Sequence, residues 1–237
     1  MSLDKRKCDP ELGARVRQHL IELGLETPLN NDQVPISGTV GEYRAYTVKE
    51  KIDIIERNVK EILETLGMDL TDDSLIDTPT RVAKMYVSEI FYGLDAETFP
   101  KCTAIENKFN SDEMIVERNV NVQSSCEHHL ITIDGYATVA YIPNKKVLGL
   151  SKLNRIVEYF AKRPQVQERL TMQIHAALCF ILETDNVAVL VDAQHFCVKS
   201  RGVQDVNSRT VTSRISGAFK DDASTKAEFM SIARLGS

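Results

Sequence analysis

Two short segments, Cys126-Glu127-His128-His129 and Asp192-Ala193-Gln194-His195-Phe196-Cys197, concentrate thiol and imidazole donors at widely separated points of the chain. Together they supply a three-ligand metal set, and a fold that uses it must return residue 197 to the neighbourhood of residues 126–129. Cys126-x-x-His129 can wrap one ion from a tight turn while Cys197 arrives from a separate strand. Thiolate and imidazole suit zinc, and three protein ligands leave a fourth position for water, which is the catalytic rather than the closed structural arrangement. A closed zinc module would show two Cys/His pairs, and the second segment offers one Cys with His195 two residues before it. Residues two apart in a strand face the same side, so His195 is expected beside the metal, placed to move protons near an activated water. The bland alternative makes Cys126 and Cys197 small buried apolar residues and His129 a hydrogen-bonded turn residue. His175 and Cys179, four apart on an expected helix, could also share a metal, but no third ligand accompanies them, and they read as core-facing.

At 237 residues and 43% hydrophobic content the chain can bury a full core, as one large domain or one domain with an N-terminal appendage. A net charge of −5 argues against a general nucleic-acid binder, so any anion site must be local. No signal-like stretch opens the chain and no apolar run is long enough to span a bilayer, which sets the expectation of a cytoplasmic protein. The five cysteines, an odd and scattered set, fit reduced thiols and a metal site better than a disulfide framework.

Residues from about Asp9 to Leu25 read as a first helix, followed by a loop through Pro28, Asn30, Asn31, Pro35 and Gly38. Ile55, Val59, Ile62 and Leu66 mark an amphipathic helix from Thr47 to about Gly67. Thr78 is placed to cap a third helix, with Pro79 in its first turn, running to about Tyr92. From Met114 the character changes: residues 114–124 and 135–142 read as antiparallel strands. Ser151 is an N-cap candidate for a helix through Lys162, Pro164 breaks it, and a longer helix covers Val166 to Glu183. Asn186 to Val198 and Thr210 to Ile215 read as two more strands, and Ala223 to Arg234 as a last helix. This order predicts an α+β fold, a helix pair on one face of an antiparallel sheet, and the sheet's open edges predict an oligomer.

The runs Asp77-Thr-Pro-Thr-Arg81-Val-Ala-Lys-Met-Tyr, Ser125-Cys-Glu-His-His129, Gly149-Leu-Ser-Lys-Leu-Asn-Arg155, Arg163-Pro-Gln-Val-Gln-Glu-Arg169-Leu and Cys197-Val-Lys-Ser-Arg-Gly202 resemble, in order, the motifs of the GTP cyclohydrolase I family. The resemblance covers roughly Thr47 to the C-terminus and leaves residues 1–46 as an N-terminal helix and loop extension, with a helical part over 47–95 and a tunnelling-fold part over 110–237. It implies sheets closing between subunits into a barrel, pentameric rings stacked into a homodecamer, active sites at subunit junctions, and allosteric control. It further implies a zinc hydrolase that turns GTP into 7,8-dihydroneopterin triphosphate and formate, the first step of pterin and tetrahydrofolate biosynthesis.

Under that resemblance Cys126, His129 and Cys197 hold Zn2+, His195 protonates the imidazole ring of guanine, and His128 acts near the ribose. Glu168, helped by Gln167, reads the adjacent N–H donors of the guanine pyrimidine edge, because one carboxylate can accept both. Lys152 and Arg155 lie on one face at a helix start, near its positive dipole end, and with Ser151, Arg201 and Arg81 would bind the triphosphate. Each of these polar residues could instead be ordinary surface. Two competing functions are a nitrile reductase of the same fold, which would need a nucleophilic cysteine and a nicotinamide cofactor, and a zinc-stabilised module that binds a nucleotide without converting it.

Overall fold

Asp9 opens the first helix, α1 (Pro10–Glu22): its carboxylate accepts from the Leu12 amide at 3.0 Å, and Pro10 fills a first-turn position that needs no N–H. The computed structural model describes residues 7–30, 34–35, 37 and 43–234, so Asn31 and Gly38 of the expected loop lie outside the described residues. Two short strands, β1 (Val34–Pro35) and β2 (Tyr43–Arg44), pair antiparallel. A capping box then starts α2 (Val48–Thr65), with Thr47 and Glu50 each accepting from the other's backbone.

Thr78 does not cap α3 (Thr78–Met85) as expected but is its first residue. Asp77 precedes it without a side-chain cap bond and pairs instead with Arg81 at 3.3 Å. The helix widens into a π-turn over Tyr86–Ile90, and two 3-10 turns, Tyr92–Leu94 and Ala96–Thr98, follow. Tertiary contacts divide the chain into two compact units, one from Thr27 to Tyr92 and the other joining the first helix, up to Glu26, to the chain from Gly93 onward.

In the second unit β3 (Ala104–Glu106) leads to β4 (Ile115–Cys126) and β5 (Thr132–Tyr141), and β6 (Lys146–Leu148) turns back to pair with β3. Then come α4 (Leu150–Ala161), the two-residue β7 (Pro164–Gln165), α5 (Gln167–Leu182), β8 (Val187–His195), the one-turn α6 (Phe196–Lys199), β9 (Thr210–Ile215), α7 (Ala218–Asp221) and α8 (Ala223–Arg234). The main sheet has the order β7-β4-β5-β8-β9. It is antiparallel except for β7, which runs parallel to β4, so the expected all-antiparallel sheet gains a parallel edge. Ser151 is also not the N-cap of α4: Gly149 holds that position with no side-chain bond, and Ser151 lies inside the first turn.

Helices α4 and α5 cover one face. Leu153, Ile156, Phe160, Leu170, Ile174 and Leu178 meet Val122, Ile133, Ala137, Val139, Val189 and Val191 in one buried cluster, the dominant stabilising burial of the molecule. On the other face a smaller cluster of Ala140, Ala188, Phe219 and Phe229 seats α7 and α8. At Gly135 a side chain would lie 2.2 Å from the Asp192 carbonyl oxygen, so only glycine lets β5 and β8 approach as they do beside the His195 end of β8. Among the described residues nothing pairs with the outer edge of β9. No helix among them is long and apolar enough to cross a membrane.

Candidate metal centre and active site

Strand β4 ends on Cys126, and the chain reverses at once: the Cys126 carbonyl accepts from the Leu130 amide at 2.8 Å, and Leu130 adopts φ 54° to close the turn. His129 is carried on this turn. Its approach to Cys197 follows from sheet order, since β8 lies beside β5 with His195 opposite Ile133, and the chain continues directly into α6. The Cys126, His129 and Cys197 ligand atoms all lie within 4.8 Å of one another.

Cys197 reaches the group from the first turn of α6 and not from a strand, so the two-residue strand period does not set its relation to His195. Helical geometry begins where β8 ends. Burial, reinforced by the Cys126 sulfur, pushes the Cys197 thiol up. The Cys197 thiol therefore keeps its proton until a cation is present, and two soft sulfurs with one imidazole are a donor set that zinc favours. The residues fit zinc.

His128, mostly exposed, sits with Nδ1 3.6 Å from the Cys126 sulfur and Nε2 4.0 Å from Glu127. Glu127 in turn accepts two bonds from Arg169, at 2.7 and 2.9 Å, and its amide donates to the Gln165 carbonyl, which docks the turn onto β7 and α5. This Glu127–Arg169 pair escapes a residue-by-residue reading. Its only sequence signal is a pair of opposite charges, one in each of two motif blocks that a third block separates.

His195 lies 2.7 Å from the Gln167 side-chain oxygen. Burial lowers its pKa, with Glu168 pulling in the opposite direction, so the ring is neutral at pH 7. Gln167 is itself buried, whereas Glu168, next to it in the first turn of α5, is exposed. Arg201 donates to His129 Nε2 at 2.7 Å, which brings it to the metal group.

Ser151, Lys152 and Arg155 share the first turns of α4, and the positive field of Lys152 and Arg155 acts on the buried Cys102 thiol, which desolvation nevertheless pushes up to about 12. No carboxylate lies within ion-pair distance of Lys152 or Arg155 among the described residues. Arg81 belongs to the Thr27–Tyr92 unit, where it pairs with Asp77.

The His175–Cys179 pair stands apart. The ring lies 3.8 Å from the sulfur and 2.8 Å from the Ser216 hydroxyl, and burial takes His175 down to about 4 and Cys179 up to about 11. His175 is buried and Cys179 half-buried, and Cys126, His129 and Cys197 form the one candidate metal cluster among the described residues.

The sequence profile of the family described as GTP cyclohydrolase I matches residues 55–234. Curated relatives named GTP cyclohydrolase 1 from Shewanella sp. (strain W3-18-1) and Shewanella putrefaciens (strain CN-32 / ATCC BAA-453) are each 53% identical over 220 residues, covering 93% of this chain and 97% of theirs. The protein of the same name from Shewanella baltica (strain OS185) is 53% identical, over 93% of this chain and 96% of its own length.

Proposed function

The chain belongs to the GTP cyclohydrolase I family, and from that premise we propose how its own residues carry out the hydrolysis of GTP at C8 to formate and 7,8-dihydroneopterin triphosphate, the entry to pterin and tetrahydrofolate synthesis. The observation that carries the reading is the convergence of Cys126, His129 and Cys197 within 4.8 Å, with His195 two residues from the last of them.

Those three residues would hold Zn2+, which when bound supplies a water acidified from its bulk value toward ~7. Glu168, exposed at the start of α5, accepts the two adjacent N–H donors of the guanine pyrimidine edge and so orients the imidazole ring of the base. His195, neutral at pH 7, takes a proton from the attacking water and passes it to the ring nitrogen as the bond to C8 opens. A second water hydrolyses the resulting formamide, so C8 leaves as formate with both its oxygens taken from water. His128, on the exposed side of the turn, handles protons at the ribose as the sugar opens and rearranges before the new ring closes.

Lys152 and Arg155, uncompensated by carboxylates near the positive end of α4, bind the triphosphate together with the Ser151 hydroxyl and Arg201. The working form is a cytoplasmic homodecamer of stacked pentameric rings under allosteric control, with the active sites at subunit junctions. Open sheet edges support assembly, and five free thiols support a reducing compartment.

Incubating zinc-loaded protein with GTP tests the proposal. Formate and a pterin that fluoresces after oxidation are expected. Neither product forming while zinc is demonstrably bound overturns it.

A further inference from the structure

Gln167 reads from the sequence as an assistant to Glu168 on the guanine edge, but its surroundings give it different work. Only 1% of the residue is exposed. Its Nε2 donates to the Val191 carbonyl at 3.0 Å and the Thr210 carbonyl at 2.8 Å, with the Thr212 hydroxyl at 3.2 Å. Carbonyl oxygens only accept, so the amide end that faces them has to be the NH2 group.

The threonines agree with that polarity. Thr171 donates its hydroxyl proton to the backbone carbonyl of Gln167 at 2.9 Å, so in the 2.6 Å contact between the two hydroxyls Thr212 is the donor. The lone pairs of Thr212 then remain for Gln167. With its nitrogen committed in this way, the amide turns its oxygen to His195, whose Nε2 lies 2.7 Å away. An amide oxygen cannot donate, and so His195 Nε2 must carry a hydrogen.

We infer that Gln167 is the positioning residue of His195, fixing the plane of the ring and its Nε2–H tautomer, which leaves Nδ1 as the bare nitrogen of the neutral ring. The frame that holds Gln167 spans α5, β8 and β9, so the ring orientation is set by the sheet and not by the exposed loop after α6. Gln167 contributes no side-chain group to the guanine, which leaves Glu168 as the reader at the start of α5. The inference rests on His195 being the acid of the proposed reaction.

Zinc-loaded wild type, Gln167→Met, His195→Ala and the double variant, assayed with GTP, test it. Gln167→Met is expected to lower kcat about ten- to a hundred-fold with zinc content retained and KM for GTP within about twofold. The double variant should be no slower than His195→Ala, because Gln167 acts through that ring. Multiplying losses in the double variant, or a raised KM with kcat intact, overturns the inference. Full turnover by His195→Ala sinks the acid reading itself.

A measurement on wild type does not depend on any variant folding. Long-range nitrogen–proton NMR of histidine-labelled, zinc-loaded protein, with the His195 signals assigned by their loss in His195→Ala, should show Nε2 protonated and Nδ1 bare in the neutral ring. The opposite tautomer overturns the assignment of Gln167 whatever the kinetics give.

Discussion

His175 shows what burial does to a single titratable residue. Desolvation, with Arg214 adding to it, takes its pKa to about 4 from an ordinary value of 6.5. The unfolded chain therefore binds a proton that the folded chain refuses between those two values. Its contribution to stability is complete above pH 6.5 and is lost as the pH falls through 6.5 toward 4, by about 2 kcal/mol at pH 5. His175→Gln can keep the contact with Ser216 without titrating, so urea melts at pH 7 and pH 5 should show a smaller acid loss in the variant. Equal losses would mean that His175 is protonated in the fold. The paired sulfurs give a second expectation. With Cys126 and Cys197 sulfurs within 4.8 Å, zinc removal under mild oxidant should join them, and a thiol count on the denatured protein should fall by two. An unchanged count would show that the turn and α6 separate once the metal leaves. The candidate ligand group was legible from the sequence because its donor chemistry resides in the residue type. Gln167 was not: the partners that decide its role are two backbone carbonyls, and a sequence does not say which carbonyls face a buried amide.

Elements were readable where a period persists and unreadable where one turn decides. The long strands and helices of the second unit follow their hydrophobic patterns, and α8 begins and ends where its pattern does. The break between β8 and α6 is invisible in the local sequence, because Phe196-Cys197-Val198 has strand propensity and the helical turn arises from tertiary context. At two residues, β7 is too short to show any period. Its neighbour Arg163 is nevertheless the main polar tie between α1's C-terminal extension and the sheet-covering helices. The Arg163–Glu26 pair is 2.6 Å long with both side chains largely buried, and the guanidinium lies 4.8 and 4.9 Å from the Tyr159 and Phe160 rings. Removing one partner of a buried pair strands the other, so Arg163→Met should destabilise the protein by about 3–5 kcal/mol. Arg163→Lys should recover little of this, because an ammonium cannot both stack on two rings and reach the carboxylate from the same place. Denaturant midpoints of the two variants check both statements, and a Lys variant as stable as wild type would show that charge alone is enough.

At the scale of the whole molecule the unresolved demand is the outer edge of β9. A six-residue edge strand with Val211 58% exposed, followed across the sheet by fully paired neighbours, is a surface that isolated proteins blunt with charge, proline or a covering element. Here the loop leading into it adds Val203 and Val206, 81% and 55% exposed, so the apolar surface extends beyond the strand. Pairing that edge with another copy would satisfy backbone groups and cover the valines in one step, and repeated head-to-tail it closes a ring. The same edge supplies Thr210 and Thr212 to the frame around Gln167 and His195, so assembly and the orientation of the proposed acid share a strand. Val211→Lys places a charge on the edge without touching a metal ligand. Sedimentation should show smaller species, and specific activity should fall at least about tenfold, in proportion to the assembly lost, while zinc content per chain is retained because all three ligands come from one chain. Full assembly by Val211→Lys would move the subunit joint away from β9. Full activity in a dissociated species would place the complete active site within a single copy.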